Sequence, residues 1–113
     1  MRNKDPRNQE ESTAAKYSRL IAELRAGVFE GSGQTAPALR RSAATGEAAL
    51  ADPWSSYTAK IRDEPWDVTD SDIEHLKAAG HSEDEIFEMT VAAAVGVSLG
   101  ALDAGLRALR DDA

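Results

Sequence analysis

Cysteine is missing altogether from this 113-residue chain. That excludes disulfides, thiolate metal sites and thiol redox chemistry within it. Aromatic residues make up only 5%, and alanine is abundant, so side-chain volume is low. A core of small residues lets backbones approach closely, which suits helices. Positive charge is in deficit: thirteen Lys and Arg stand against twenty Asp and Glu, a net charge of −7. A field of that sign repels phosphate backbones, and no local basic block overrides it, so nucleic acid is not an expected partner. Long apolar runs are short too. Between Glu88 and Asp103 lie fewer than the ~18–20 apolar residues a bilayer span needs, many of them alanine or glycine, so no membrane span is expected. The opening MRNKDPRNQEESTAAKYSRLIAEL lacks the apolar stretch of a secretory signal, which makes the cytoplasm the expected compartment.

What is present fits one domain. The hydrophobic content is 42%, as in globular chains, and a compact monomer of this length has a radius of gyration of roughly 13 Å. Residues 1–9 are polar, contain Pro6 and read as a flexible tail, with a single helical domain over 10–113. From Glu10, the residues Ala14, Tyr17, Ile21, Leu24 and Val28 recur at steps of three and four, which places them on one helical face. Gly27 or Gly31-Ser32-Gly33 ends this helix. A second helix is predicted from about Ala36 to Leu50, with Pro37 in its first turn and Leu39, Ala43, Gly46 and Leu50 on one face. Asp52-Pro53-Trp54 supplies a cap and a first-turn proline for a third, which aligns Trp54, Tyr57 and Ile61 and stops at Pro65. Trp54 and Trp66 are both expected as core anchors.

Thr69 and Asp72 have capping-box spacing for a fourth helix, Val68 and Ile73 can staple it, and Gly80 is placed as its left-handed C-cap. Ser82 and Glu85 repeat the capping-box spacing for a fifth, with Glu83 and Asp84 at the positive end of its dipole. No strand is evident. The expected fold is all-α: about five helices in a small bundle with a long Ala/Gly-rich C-terminal helix.

Residues 82–110 as one helix span about 43 Å, more than the roughly 30 Å diameter of a small domain. The helix must therefore bend, near Gly96 or Gly100, or protrude and meet another chain. Ala92, Gly96, Gly100, Ala104 and Ala108 follow at steps of four and form a ridge almost without side chains. Two interior glycines cost roughly 2 kcal/mol of helix propensity, which close helix packing on that ridge would offset. Ridge and length together predict a homo-oligomer: dimer, trimer or hexamer.

Three patterns invite chemistry and are set aside on context. Gly96-Val97-Ser98-Leu99-Gly100 matches G-x-S-x-G, but a nucleophile elbow needs a strand, a strained turn and a helix. Gly31-Ser32-Gly33-Gln34-Thr35-Ala36 fits a loose dinucleotide fingerprint without the preceding strand, so it reads as a linker. Asp72 and His75 make one partial Asp-x-x-His where a bundle di-iron site needs far more. No metal and no cofactor is predicted. Glu85 reads as a cap and Glu88 as a residue at the helix rim. Either could act as a general base if burial raised its pKa, and Glu88 with His75 are the candidate acid–base groups.

The stretch DVTDSDIEHLKAAGHSEDEIFEMTVAAAVGVSLGALDAGLRAL, residues 67–109, resembles the C-terminal half of the alkylhydroperoxidase D and carboxymuconolactone decarboxylase superfamily. The preceding ADPWSSYTAKI resembles the amphipathic helix that leads into it, so the likeness covers about residues 48–110. It implies that family's helical fold and its tendency to form trimers or hexamers. Peroxidase members carry a Cys-x-x-Cys pair with a nearby histidine in an earlier helix; this chain has no cysteine and no histidine before His75. The implied protein is a non-redox, homo-oligomeric binding or structural module. A cysteine-free enzyme acting on a small organic acid or lactone, and a partner subunit for a thiol-bearing relative, are the alternatives.

Overall fold

The structure is a computed structural model that describes residues 6–47 and 50–112, with side chains described over 15–47 and 50–110. Helix α1 runs Pro6–Arg25 and continues through one wide turn, Ala26–Glu30, before the chain loops into α2, Pro37–Thr45. Then come α3, Trp54–Asp63, a single tight turn at Pro65–Asp67, α4, Asp70–Ala78, and α5, Glu83–Asp112. Every element among the described residues is helical, as the pattern predicts.

The local signals account for most boundaries. Thr69 Oγ1 and the Asp72 carboxylate form the reciprocal capping box of α4. At its other end the His81 N–H donates to the Leu76 carbonyl and the Gly80 N–H to that of Lys77, with Gly80 at φ +97°. That is the left-handed C-cap expected of glycine. Ser82 and Glu85 form the second box at 2.8 and 3.1 Å. Two boundaries differ from expectation. Helix α1 already includes Pro6 to Gln9, where a tail is predicted, and residues 1–5 lie outside those described. Helix α2 stops at Thr45 instead of Leu50, because Gly46 takes φ +71° and donates back to the Ser42 carbonyl. Arg62 reaches over from α3 and donates to the Ala43 carbonyl at 2.7 Å, placing a cation where the α2 dipole is negative.

The core is one cluster under α2 and α3 against the first five turns of α5: Ala43, Trp54, Tyr57, Leu76, Ile86, Met89, Ala92, Ala93 and Leu99, with Phe29 from the wide turn. Tyr57 ties the layers together through a 2.6 Å hydrogen bond to Thr90, and the Trp54 ring lies 4.4 Å from that of His81. Trp66 corrects the sequence reading. It follows Pro65 in the tight turn and is 79% exposed, since that turn stands off the helices that bury Trp54. The α2 face is also rotated: Arg40 and Ala43 are buried and Leu39 is exposed.

The molecule is long for its mass. Its extents are 62 × 31 × 23 Å and its radius of gyration is 17.9 Å, against roughly 13 Å for a compact chain of this length. Two arms cause this. Helix α1 projects from the body; of its described side chains, Ile21 is the one packed against the core. Helix α5 runs unbroken for 30 residues, and from Gly100 to Arg110 every residue is exposed. By length and mean hydropathy, 1.6, α5 also suffices to cross a membrane. Its first half is nonetheless the core helix of the body.

Candidate functional site

Glu88 joins two segments that lie far apart in the chain. It sits in the second turn of α5, facing the Gly31–Ala36 loop that precedes α2. Its carboxylate accepts from the Gln34 N–H at 2.7 Å, the Thr35 N–H at 2.9 Å and the Thr35 hydroxyl at 2.7 Å. Arg40, 3% exposed, places its guanidinium 3.5 Å away and donates to the Thr35 carbonyl at 2.6 Å and to the Gly31 carbonyl. The loop passes so near that a Cβ on Gly33 would fall 2.7 Å from a Glu88 oxygen. Any larger residue there would push the carboxylate aside. The apparent dinucleotide fingerprint is thus a linker held down by the protein's own carboxylate.

This geometry settles the acidity of Glu88. Burial pushes its carboxyl up, but the hydrogen bonds from Gln34 and Thr35 and the Arg40 charge outweigh burial, leaving it below the ordinary carboxylate value. A carboxylate that accepts several hydrogen bonds is held ionised. It is a poor general base, the reverse of the burial-raised acid the sequence allowed for, and it must surrender its bonds to the loop before it can take a proton. The cavity beside it, about 200 Å³, is lined by Gly27, Val28, Ser32, Arg40, Phe87, Glu88 and Val91. His75 does not line it; it is exposed on α4. The two acid–base candidates are therefore not brought together there.

The remaining candidates fall as follows. Glu85 caps α5 and lies 3.7 Å from His81. Asp72 serves its capping box and pairs with Lys60 at 3.1 Å; the Thr69 N–H first and then Lys60 hold its carboxyl below the ordinary carboxylate value. No cluster of three or more His, Asp or Glu suited to a metal occurs among the described residues. Ser98 is an exposed residue in the middle of α5.

The small-residue ridge divides in two. Ala92 is buried, and a Cβ on Gly96 would meet the Ala44 carbonyl at 2.5 Å, so this part packs tightly on α2. Gly100 faces open space, and Ala104 and Ala108 are exposed. At the division lies a cleft of about 410 Å³ lined by Arg25, Phe29, Arg41, Ala44, Thr45, Glu47, Gly96 and Gly100. It is the root from which both arms leave the body.

Arg40 is the residue that sequence reasoning missed. An arginine beside a second arginine in a short helix reads as solvated, and nothing in one dimension shows that the Gly31–Ala36 loop folds over it. No family model, curated protein or solved structure matches this chain.

Proposed function

We propose that this chain is a non-redox, homo-oligomeric helical module, with a fold of the alkylhydroperoxidase D kind and without the thiols of that chemistry. The observation that carries the reading is the pair of apolar arms. Tyr17, Leu20 and Leu24 on α1, and Leu102, Leu106 and Leu109 on α5, are large and exposed, with Leu109 at 68%. In proteins most helical stability comes from tertiary packing of an amphipathic face rather than from propensity. Helices of this kind gain their stability from packing an apolar face, and a symmetric assembly of copies is the commonest way such faces are covered.

The engaged state of Glu88 supports a structural role over a catalytic one. Its bonds hold the loop and the start of α2 onto α5. A carboxylate doing proton transfer needs a pKa near the operating pH, and this one lies on the other side of its ordinary value.

Light scattering on the intact chain across a hundredfold range of concentration tests the proposal. The expected result is a mass that is a multiple of 12.1 kDa and falls on dilution. A mass of one chain at every concentration would overturn it.

A further inference from the structure

We infer that the Gly31–Ala36 loop and Arg40 form a carboxylate-binding pocket, which Glu88 fills in the free chain and from which a small organic acid with an apolar body displaces it. This goes beyond the self-association proposed above and does not depend on it.

The first argument is that the pocket already holds a carboxylate. Two successive backbone N–H groups, of Gln34 and Thr35, and the Thr35 hydroxyl converge on Glu88 at 2.7, 2.9 and 2.7 Å. Consecutive N–H groups aimed at one point are a recurrent way of binding anions. Gly33 brings the backbone close, since a Cβ there would fall 2.7 Å from a carboxylate oxygen. Against burial, these donors and Arg40 hold Glu88 below the ordinary carboxylate value, so the pocket favours an anion over a neutral group.

The second argument is that Glu88 leaves the pocket incompletely satisfied. Arg40 is 3% exposed, and a buried cation calls for a bonded counter-charge. Its Nη1 donates to the carbonyl and hydroxyl of Thr35, and its Nη2 to the Gly31 carbonyl. Its Nε is buried with no partner among the described residues. Glu88 stands 3.5 Å from Nη1, well outside the roughly 2.7–2.9 Å of a charge-assisted bond. Glu88 is fixed to α5, whereas a free carboxylate can shift toward the guanidinium until it meets such a bond. The Glu88 side chain is 22% exposed, so solvent is open to it when it is displaced.

The third argument is room. The adjoining cavity of about 200 Å³ is lined by Arg40 and Glu88 together with the apolar Val28, Phe87 and Val91. An apolar cavity of roughly 150 Å³ holds benzene, so a body of that size fits behind the carboxylate. It would also cover Phe87, which is 69% exposed.

Benzoate and its neutral counterpart benzamide test this on Glu88→Ala and wild type, followed by the amide NMR resonances of Gln34 and Thr35. Without the tethered competitor, Glu88→Ala is expected to bind benzoate saturably, with both resonances shifting. Its affinity should be at least tenfold above that of wild type and at least tenfold above its own for benzamide. Equal affinity in the two proteins overturns the displacement of Glu88, and benzamide binding as tightly as benzoate overturns the anion pocket. Glu88→Ala that is folded yet shows no saturable shift overturns the inference outright. If Glu88→Ala does not fold by itself, benzoate is expected to restore its helical signal. A chain left unfolded by benzoate, beside wild type whose Gln34 and Thr35 resonances do not move at millimolar benzoate, overturns it equally, and either of the opposite results supports it.

Discussion

Helix α5 is two helices in physical terms. From Ile86 to Leu99 it lies under α2 and α3, with Met89, Ala92 and Ala93 fully buried. From Gly100 to Arg110 every residue is exposed. The first half is the more apolar, with Glu88 its one charge against Asp103, Arg107 and Arg110 in the second, yet each carries members of the same small-residue ridge. In the first half Gly96 costs about 1 kcal/mol of helix propensity, offset by the close seating of Ala44 against it. In the second half Gly100 bears the same cost with nothing beside it. The difference shows that a small-residue stripe marks where a helix can be approached, and that a separate element must do the approaching.

Substitutions in matched pairs should break that comparison if it is wrong. Met89→Ala should cost about 2–5 kcal/mol of stability, the usual range for emptying a well-packed core site. Leu106→Ala, its counterpart in the bare half, should leave the melting of dilute protein unchanged. Chemical denaturation of both variants at low concentration checks this. Gly96→Leu should cost about 1–3 kcal/mol or more, because even its Cβ collides with a backbone carbonyl that cannot move aside cheaply. Gly100→Leu should fold normally at low concentration and lose self-association, read by thermal melts and light scattering on the same samples.

The Glu88 clasp sharpens the contrast from the body side. Glu88→Gln should cost about 1–3 kcal/mol, since it weakens charge-assisted bonds to the Gln34 N–H and to the buried Thr35. The pH dependence carries a definite sign. Because the folded carboxyl lies below its ordinary value of 4.5, its contribution to stability is complete above that value. It is lost as pH falls from there through the lower folded value. Wild type should therefore lose more stability than Glu88→Gln in that acidic window, and the two should run parallel from pH 6 to 8. The smallest effect is expected at the exposed Lys77–Glu83 pair, 2.8 Å apart. Lys77→Ala should not move the melting temperature measurably, as is usual for pairs in open solvent.

Local chemistry was the legible part of this fold. Thr69 with Asp72, Ser82 with Glu85, and Gly80 after α4 each act within a few residues, so the chain announces them directly. Burial across the fold was less legible. Trp54 and Trp66 both follow a proline, yet one is in the core and the other in solvent, because only the first is carried on a helix facing α5. The Leu39 face of α2 was misjudged by one position, since the Arg40 guanidinium pays for its burial with bonds to Thr35 and Gly31, fifty residues away from the Glu88 that completes the set. The site follows the same logic. Glu88 could be singled out as an acid near an apolar helix, but the partners that fix its state come from a loop whose sequence reads as a plain linker.

Amide hydrogen exchange along α5 tests the central claim most directly. At concentrations where the chain associates, residues 101–110 should be protected to the same order as 86–96, and should lose that protection on dilution while 86–96 keep theirs. Fast exchange across 101–110 at every concentration, beside a protected 86–96, would contradict the account.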